Sequence, residues 1–459
     1  MHLFPDLVRL EKKYPNQVVV LGVHSAKFDN EKDPKSIAKA MQRYELNHPV
    51  LNDADRKIWT AYGVEAWPSV GIVDPEGFLV KAYTGQEHIF SEADRVISQL
   101  IRIHRANKTL NEKPIYFTKA QAEKAAQSPM WFPGKVLADG RGERLFIADS
   151  THHRIVITDL EGKKIAIAGT GKAGRDDGSF AKASFNDPQG LALDGDILYV
   201  ADRKNHLIRA LDLRKQTVKT IAGIGRQGTD IRRGGAALRT GLNSPWGLLL
   251  HRGELFIAMA GHHQIWVMDL AKHVVVPFAG SGSENLMDGP RASSCFAQPS
   301  GLASDGRTLY VADSEVSAVR ALPLNGMGEV STLVGTGLFD FGDVDGVGTR
   351  ARLQHALGIV YVDGKLYVAD TYNSKIKVID PGTGACKTFL GGDKKARLFN
   401  EPGGISYANG KLYVADTNAH RIQVIDLESK AVSTLKLQGV EPPKETTNHS
   451  FSTGRNKKE

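Results

Sequence analysis

The later part of the chain alternates between apolar and polar positions with a period of two, and the alternation recurs in a fixed context. A short segment of the Leu-Tyr-Val-Ala-Asp kind returns six times, and a second alternating run, such as residues 153–157, follows each copy. Period-two alternation is typical of a β-strand whose two faces meet different neighbours. The six segments lie at residues 145–149, 198–202, 255–259, 309–313, 366–370 and 412–416.

A turn of the Pro-x-Gly kind introduces the first strand of most repeats. Proline fixes φ in such a turn, and glycine accepts backbone angles that other residues avoid. Successive repeats are 46 to 57 residues apart, which fits one four-stranded propeller blade each. Ala356 replaces the turn proline in the fifth repeat, and Met259 replaces the aspartate in the third. These are single losses in a regular array, so the sequence predicts a mainly β protein with a six-bladed β-propeller.

This pattern resembles the NHL repeat, and the resemblance covers residues 130–437. The last candidate strand, residues 432–437, is predicted to complete the sixth blade. Residues 438–459 are polar and include two adjacent prolines, so we expect a disordered tail there.

Residues 1–105 have a different pattern, and a linker over 106–129 separates them from the propeller; residues 117–127 of this linker are predicted to be helical. Helical and strand-like segments alternate along the front of the chain, as in an α/β unit. Continuous apolar runs, as opposed to alternating ones, are typical of buried parallel strands. The predicted elements are helices over 5–14 and 35–44, buried strands over 18–23 and 67–74, and a return strand beginning at 77–80.

The order of these elements resembles the thioredoxin-like fold, with Pro68 in the place of that fold's cis-proline. Residues 22–28, residues 52–55 and the Trp67-Pro68 pair, joined to this propeller, make the chain similar to the NHL repeat-containing protein 2 family. The resemblance implies that Trp67 and Pro68 contribute to substrate docking.

The sequence departs from that family at its beginning. In the family a Cys-x-x-Cys pair stands directly before the stretch that matches residues 1–3, and this sequence begins after it. Thiol–disulfide exchange needs a thiolate at a helix N-terminus and a resolving thiol. Without the central strand of such a sheet, its neighbours would carry unpaired backbone groups, at about 1–3 kcal/mol each. We therefore expect a partial thioredoxin-like domain here and a natural chain that extends upstream.

The chain has a formal net charge of +8, and its excess of basic residues lies beyond the front segment. A solvated surface is the simplest interpretation, and a phosphate-binding face is the alternative. The densest basic part contains Lys172, Arg175, Arg226, Arg232, Arg233 and Arg239, and the first five of these are the candidate binding residues.

Four histidines each lie four residues after the aspartate (or Met259) of their repeat, which invites a metal interpretation. The symmetry of a ring would hold them far apart, whereas metal ligands converge within about 2.0–2.1 Å of one ion. We expect these histidines to bond to the backbone of a neighbouring blade and the aspartates to cap turns. No metal and no cofactor is predicted. The repeat residues with this structural role are Asp149, Asp202, Asp313, Asp370, Asp416, His153, His206, His263 and His420.

Cys295 and Cys386 are the two cysteines, too few for a disulfide framework or a cysteine metal site. So few cysteines fit a reducing, cytoplasmic location, which we expect for this chain. No apolar run approaches the roughly 20 residues of a membrane span. The sequence predicts a non-catalytic platform that binds a protein or peptide through its propeller loops. Two alternatives stay open: a thiol–disulfide oxidoreductase with a longer native chain, and RNA binding by the basic loops. Fold alone does not identify the partner.

Overall fold

A computed structural model describes residues 3–46, 48–85, 89–113, 128–392 and 398–443. Contacts divide the chain into two compact units, residues 1–123 and residues 124–459. The helix predicted over 117–127 and the end of the polar tail, 444–459, lie outside the described residues.

The front unit contains four α-helices, one short 3-10 helix (Asp29–Lys32) and four strands among its described residues. Helix α1 has a proline in its first turn and two lysines in its last, an arrangement that suits the helix dipole. Its buried Leu10 packs with Ile97 of α4 in the small core of this unit. The helices are α1 Phe4–Lys13, α2 Pro34–Arg43, α3 Lys57–Ala61 and α4 Phe90–Ala106, and the strands are β1 Gly22–His24, β2 Val50–Asn52, β3 Ser69–Val73 and β4 Leu79–Thr84.

The strands of the front unit form two separate two-stranded sheets. Strand β1 pairs with β2 in parallel, and β3 pairs with β4 in antiparallel fashion. The prediction of a buried strand over 18–23 is wrong in extent and in burial, since β1 begins only at Gly22 and Leu21 is 57% exposed. The reason is that an apolar run is buried only by neighbours on both sides, and the described residues supply β1 with one.

The second unit is a ring of six antiparallel sheets, and the predicted six-bladed propeller is confirmed. In each blade four strands follow one another from the inside of the ring to the outside. The four strands are β5 Pro133–Asp139, β6 Arg144–Asp149, β7 Arg154–Asp159 and β8 Lys164–Ala168 in blade one; β10 Pro188–Asp194, β11 Ile197–Asp202, β12 Leu207–Asp212 and β13 Thr217–Ala222 in blade two; β15 Pro245–His251, β16 Glu254–Met259, β17 Gln264–Asp269 and β18 Val274–Ala279 in blade three; β20 Pro299–Ser304, β21 Thr308–Asp313, β22 Ala318–Pro323 and β23 Glu329–Val334 in blade four; β25 Gly358–Val362, β26 Lys365–Asp370, β27 Lys375–Ile379 and β28 Ala385–Gly391 in blade five; and β29 Pro402–Ala408, β30 Lys411–Asp416, β31 Arg421–Asp426 and β32 Val432–Thr434 in blade six.

Short strands from the connections between blades add a fifth strand to the outer edge of blades two to five. Each one pairs with the outermost strand of its blade and covers part of an otherwise open edge. These strands are β9 Gly178–Ser179, β14 Gly235–Ala236, β19 Gly289–Pro290 and β24 Gly346–Val347.

The core of the propeller lies between the blades. Six apolar clusters, one for each pair of neighbouring blades, include a cluster that joins blade six to blade one through Tyr413 and Val136. Near the axis the inner strands approach each other very closely. A Cβ on Gly190 would lie 2.2 Å from the carbonyl oxygen of Trp246 in the next blade, so only glycine fits there.

The segment after β32 closes the ring. Gln438 hydrogen-bonds through its backbone with Gly162 and Lys164 of blade one. Val440 is buried in the cluster between blades six and one. The sequence places both residues in the polar tail, yet they pack, because Val440 supplies an apolar side chain to a groove that the ring leaves at its seam.

Candidate functional site

The predicted repeat residues gather at one end of the ring. Antiparallel pairing sets the first residue of each inner strand opposite the last residue of the second strand, as in the pairs Pro133 with Asp149 and Pro188 with Asp202. The connections between blades are at the same end, since the fourth strand ends there. We call this end the loop face.

The repeat aspartates hold the segment that enters each blade. One carboxylate oxygen of each accepts a backbone N–H from a residue 16 or 18 positions earlier, at 2.6–2.8 Å. All five residues are fully buried. They therefore act as ties within a blade, and they do not point a free carboxylate at a ligand. The donors are Trp131, Asn186, Ala297, Gln354 and Asn400.

The other carboxylate oxygen faces a buried cation in several blades. In blade two the guanidinium of Arg209 lies 2.8 Å from Asp202 and 2.7 Å from Asp177 of the preceding connection. Arg320 bridges Asp313 and Asp288 in blade four in the same way. These networks fix the connections of the loop face to the blades beneath them.

Blade three lacks this network altogether. Its Met259 stands in the place of the aspartate, and Met259 Sδ lies 3.3 Å from the Asn243 nitrogen in the place of the carboxylate acceptor. The position of the arginine is occupied by Trp266, which is fully buried. The sequence shows the loss of the aspartate, and the structure shows that the cation is lost with it.

Burial dominates the acidity of most of these carboxyls. It raises the pKa of Asp202, Asp313 and Asp416 to about 6 and that of Asp370 to about 7, although nearby cations oppose the change. At Asp149 burial acts in the same direction, but His152 and Arg154 outweigh it and the pKa is lowered.

The four repeat histidines connect neighbouring blades. The Nδ1 atom of each lies 2.9–3.3 Å from a backbone nitrogen of the next blade, and it accepts the N–H of Asp187, Ser244, Gln298 or Phe132. Because each imidazole is bound at a different seam of the ring, the four do not form a common metal site.

Six residues with left-handed backbone form a ring at the loop face, and no sequence pattern marks them. The residue just before the first inner-strand turn has φ between 49° and 59° in every blade. Such values strain residues other than glycine. Each of the six donates its backbone N–H to the histidine described above, or to Ser317 or Ser374 at the same repeat position. The six are Phe132, Asp187, Ser244, Gln298, His355 and Glu401.

A polar cluster joins the starts of the inner strands of blades two and three at the loop face. Trp246 donates its indole N–H to Gln189 at 3.2 Å, and the guanidinium of Arg203 lies 4.7 Å from the centre of the indole ring. Arg203 in turn forms an ion pair with Asp187. These side chains are buried and bonded to one another, so the cluster ties blade two to blade three.

The predicted basic residues lie on two adjacent connections of the loop face, residues 169–187 and 223–244. Arg175 donates to the carbonyl oxygen of Gly225 at 3.0 Å and so links the two connections. The second connection is anchored from below, since His262 contacts the Gly228 oxygen and Gln264 donates to the Ile231 oxygen, both at 3.0 Å. All five predicted binding residues, Lys172, Arg175, Arg226, Arg232 and Arg233, are exposed.

Trp67 and Pro68 lie in the front unit at the start of β3. The indole N–H of Trp67 donates to Ser25 at 3.1 Å, and its ring lies 4.5 Å from that of Trp59. The guanidinium of Arg56 lies 5.1 Å from the Trp67 ring centre. The Trp67-Pro68 peptide bond is cis. The pair therefore borders an exposed aromatic surface, and its predicted role in substrate docking stays a prediction.

The two cysteines are both buried and free. Burial raises the pKa of Cys386 to about 12, which disfavours its thiolate. Neither cysteine lies near Trp67 in the sequence, and both belong to propeller segments.

One group of three possible metal ligands, Asp74, Glu76 and His104, occurs among the described residues. The two imidazole nitrogens face different carboxylates, each at 3.9 Å, and Nδ1 also contacts the Thr109 hydroxyl at 2.8 Å. Both nitrogens of His104 therefore already face protein groups, as in an imidazole that bridges two carboxylates without a metal ion. No helix in the described ranges is long and apolar enough to cross a membrane.

Comparison with known proteins matches both units. The NHL repeat family matches residues 185–211 and 399–425, and a thioredoxin-like family matches residues 1–79. NHL repeat-containing protein 2 of Gallus gallus is 41% identical over 446 residues, which cover 88% of this chain and 61% of that protein. The human protein of the same name is 41% identical over 449 residues, with the same coverage.

A plant protein is similar over even more of the chain. Protein SUPPRESSOR OF QUENCHING 1, chloroplastic, of Arabidopsis thaliana is 42% identical over 475 residues, covering 96% of this chain and 45% of that protein. The chain thus spans less than two thirds of the length of these relatives. Among solved structures, the nidogen/laminin complex aligns with a TM-score of 0.44 and 16% identity, over 64% of this chain and 92% of that one. Because the plant protein is named as chloroplastic, a cytoplasmic location stays a prediction.

Proposed function

The chain belongs to the NHL repeat-containing protein 2 family over the part of those proteins that it spans, and on this premise we propose that it is an interaction scaffold. Its loop face binds an acidic, partly apolar segment of a protein partner. The connection between blades two and three, residues 223–244, forms the centre of the binding surface.

The proposal rests on the exposure of the arginines on this connection and on their lack of salt bridges among the described residues. Arg226, Arg232 and Arg239 are exposed, and within the described part of the chain none of them forms a side-chain salt bridge. Elsewhere on the loop face, Arg209 and Arg320 are buried in networks with aspartates. Exposed cations on an anchored backbone favour the binding of an acidic partner, because little ordering is needed on association.

The neighbouring side chains favour a peptide over a nucleic acid. Leu238 is 58% exposed and Ile224 is 37% exposed beside the arginines. Single-stranded RNA is held largely by stacking on exposed aromatic rings. Phe180 and Phe185, which belong to the preceding connection, are both buried. Aliphatic and guanidinium groups together suit a segment that mixes acidic and apolar residues.

The proposal is tested with fluorescein-labelled 12-residue peptide libraries of fixed composition, one acidic and apolar, one basic and apolar, together with a 20-nucleotide single-stranded RNA. Anisotropy is measured at 50 and 200 mM salt. We expect the acidic library to bind and the basic library not to bind. Reversing charge at the site, with Arg232→Glu and Arg233→Glu together, is expected to weaken acidic peptide binding at least about tenfold.

A matched control reverses two arginines at the other end of the ring. Arg252 and Arg307 lie in the turns between the first two strands of blades three and four, and both are exposed. Arg252→Glu with Arg307→Glu should leave peptide binding unchanged. Equal loss in both double variants would show a general charge effect and would overturn the proposed site. RNA binding that falls steeply with salt, without peptide binding, would favour the nucleic-acid alternative.

The thiol–disulfide alternative receives no support from the described cysteines. Cys295 and Cys386 are buried, and the pKa of Cys386 is raised. That activity stays a prediction that depends on residues other than those of this sequence.

A further inference from the structure

One residue breaks the sixfold pattern at the axis of the propeller. The third position of the inner-strand turn is glycine in five blades, and in blade one it is Lys135. The glycines are required there by close contact between backbones, as at Gly190. A long cationic side chain is therefore placed at the one position where five blades keep none.

The ammonium group of Lys135 is directed across the ring. Its Nζ donates to the carbonyl oxygen of Gly403 in blade six at 3.0 Å and to that of Leu357 in blade five. The residue is only 8% exposed. Burial lowers its pKa to about 7, and no carboxylate contributes to the shift. An ammonium group has three donors, so two carbonyls leave one N–H for a further acceptor.

Lys135 also lines a cavity of about 370 Å³ along the axis, which is within the usual range for small-ligand sites. Each blade contributes an aliphatic side chain to the wall. Polar and apolar groups contribute about equally to the rest of the wall, and Asp139, the carboxylate among the lining residues, is paired with Arg144 at 2.7 Å. The aliphatic residues, one from each blade at the same strand position, are Val136, Leu191, Leu248, Leu302, Ile359 and Ile405.

We propose that the axial cavity binds a small aliphatic monocarboxylate, whose tail lies against the six aliphatic residues and whose carboxylate accepts a hydrogen bond from Lys135 Nζ. An uncompensated charge is costly at a buried position such as Lys135, and pairing with a hydrogen-bonded opposite charge offsets that cost. The ligand's carboxylate supplies the negative charge near Lys135 that no described carboxylate provides. This site is separate from the arginines of the loop face, and it stands or falls independently of the proposed scaffold function.

The test compares octanoate with octan-1-ol, which has the same chain and no charge, by calorimetry at pH 8. Octanoate is expected to bind at least about tenfold more tightly. It should also take up close to one proton per site, because the amine is mostly neutral at pH 8 and becomes charged when the carboxylate binds. Titrations in phosphate and in Tris, which differ in ionisation enthalpy, measure this uptake.

The variant Lys135→Met removes the charge and keeps an unbranched side chain that is one atom shorter. It should lose the preference for octanoate and the proton uptake while still binding the alcohol. Lys411→Met, at an exposed lysine at the start of β30, is the matched control and should bind octanoate like the unaltered chain. Octanoate binding that Lys135→Met leaves unchanged would overturn the proposal, as would the absence of octanoate binding at millimolar concentration.

A second measurement needs no substitution. Acetic anhydride at pH 8 acetylates neutral amines, and peptide mapping reports the extent of reaction at Lys135. Octanoate should protect Lys135 by at least about fivefold, whereas octan-1-ol at equal occupancy should protect it less. Protection at Lys411 should be absent. Unchanged acetylation of Lys135 at saturating octanoate would contradict the proposal even if Lys135→Met failed to fold.

Discussion

The two units of this chain treat their strand edges in opposite ways. In the propeller every blade has four or five paired strands, and the ring itself closes through blade six, blade one and the segment after β32. In the front unit β1 and β3 each have one strand partner among the described residues. More than half of the exposed large apolar side chains lie in this shorter unit. Each blade of the propeller thus contains the strands that its own hydrogen bonds need. In a single α/β sheet, by contrast, the loss of one strand leaves its neighbours without a partner.

The difference has an energetic side. In the ring, stability is spread over similar seams, and buried ionic networks such as those of Arg209 and Arg320 connect blades two and four to the preceding connections of the loop face. In the front unit it rests on one small core around Leu10 and Ile97. We expect changes in the buried networks of the propeller to have the largest effects and changes in the front unit to stay local.

The largest effect is expected from Asp202→Met, which removes the fully buried carboxylate partner of Arg209 and leaves it only the more exposed Asp177. Removal of one partner of a buried ion pair costs about 3–5 kcal/mol. The double variant Asp202→Met with Arg209→Trp, which copies the Met259 and Trp266 pair of blade three, should recover part of this loss. Urea unfolding of the propeller measures both.

Asp194→Ser, at the exposed end of β10, is the control for that pair and should change stability by less than about 0.5 kcal/mol. If the single and double variants lose the same stability, the apolar pair of blade three is not a replacement for the ionic network.

The second prediction concerns pH and Lys135. Its pKa in the folded protein is about 7, below the value of 10.5 for an unperturbed lysine. Between these values the unfolded chain binds more protons, so the folded protein gains stability as pH rises. The unfolding free energy of the native chain, relative to Lys135→Met, should therefore increase by up to about 1.4 kcal/mol per pH unit between pH 7.5 and 10.

Denaturant titrations of both proteins at each pH give this difference, in which the other titrating groups largely cancel. A flat difference would mean that Lys135 is charged throughout the range, and the cavity would then hold a permanent cation.

The third prediction tests the closing seam. His420 accepts the N–H of Phe132 at 3.1 Å, and its ring stacks on Trp131 with 4.0 Å between centres. His420→Ala should destabilise the propeller by about 1–3 kcal/mol, since it leaves a strained residue without its hydrogen bond. His206→Ala, at an internal seam, is the comparison. A larger loss of unfolding free energy for His420→Ala than for His206→Ala would show that the seam between blades six and one depends more on its histidine than an internal seam does.

The sequence predicts the blades well because their signals are local: alternation, turns and a repeated aspartate all lie within one repeat. The role of His420 is only half visible, since its position in the repeat is evident but its partner, Phe132, is 288 residues away. The left-handed ring escapes detection for the same reason. Residues such as Gln298 and Glu401 adopt the left-handed backbone because a side chain of the preceding blade accepts a hydrogen bond from their backbone N–H.

Burial in the front unit and at the axis is harder still to predict. The apolar run at residues 18–23 indicates a buried strand, but a strand becomes buried only when neighbours exist on both sides. Lys135 shows as a lysine among turn glycines in the sequence, yet only the ring places it across from Leu357 and Gly403. In each case the deciding contact joins distant parts of the chain.

The smallest effect is expected in the front unit. Asp6 of α1 accepts the N–H groups of Ile89 and Phe90 at the start of α4, both at 3.0 Å, and so caps that helix from a distance of more than 80 residues. Asp6→Ala should destabilise the front unit by about 1 kcal/mol, the usual value of a helix cap. Hydrogen exchange should rise in α4 and α1 while blades one to six keep their protection. Asp29→Ala, at an exposed carboxylate of the same unit, should leave both patterns unchanged. Faster exchange in the blades as well would mean that the two units unfold together, and the contrast between a self-completing ring and a locally held layer would be lost.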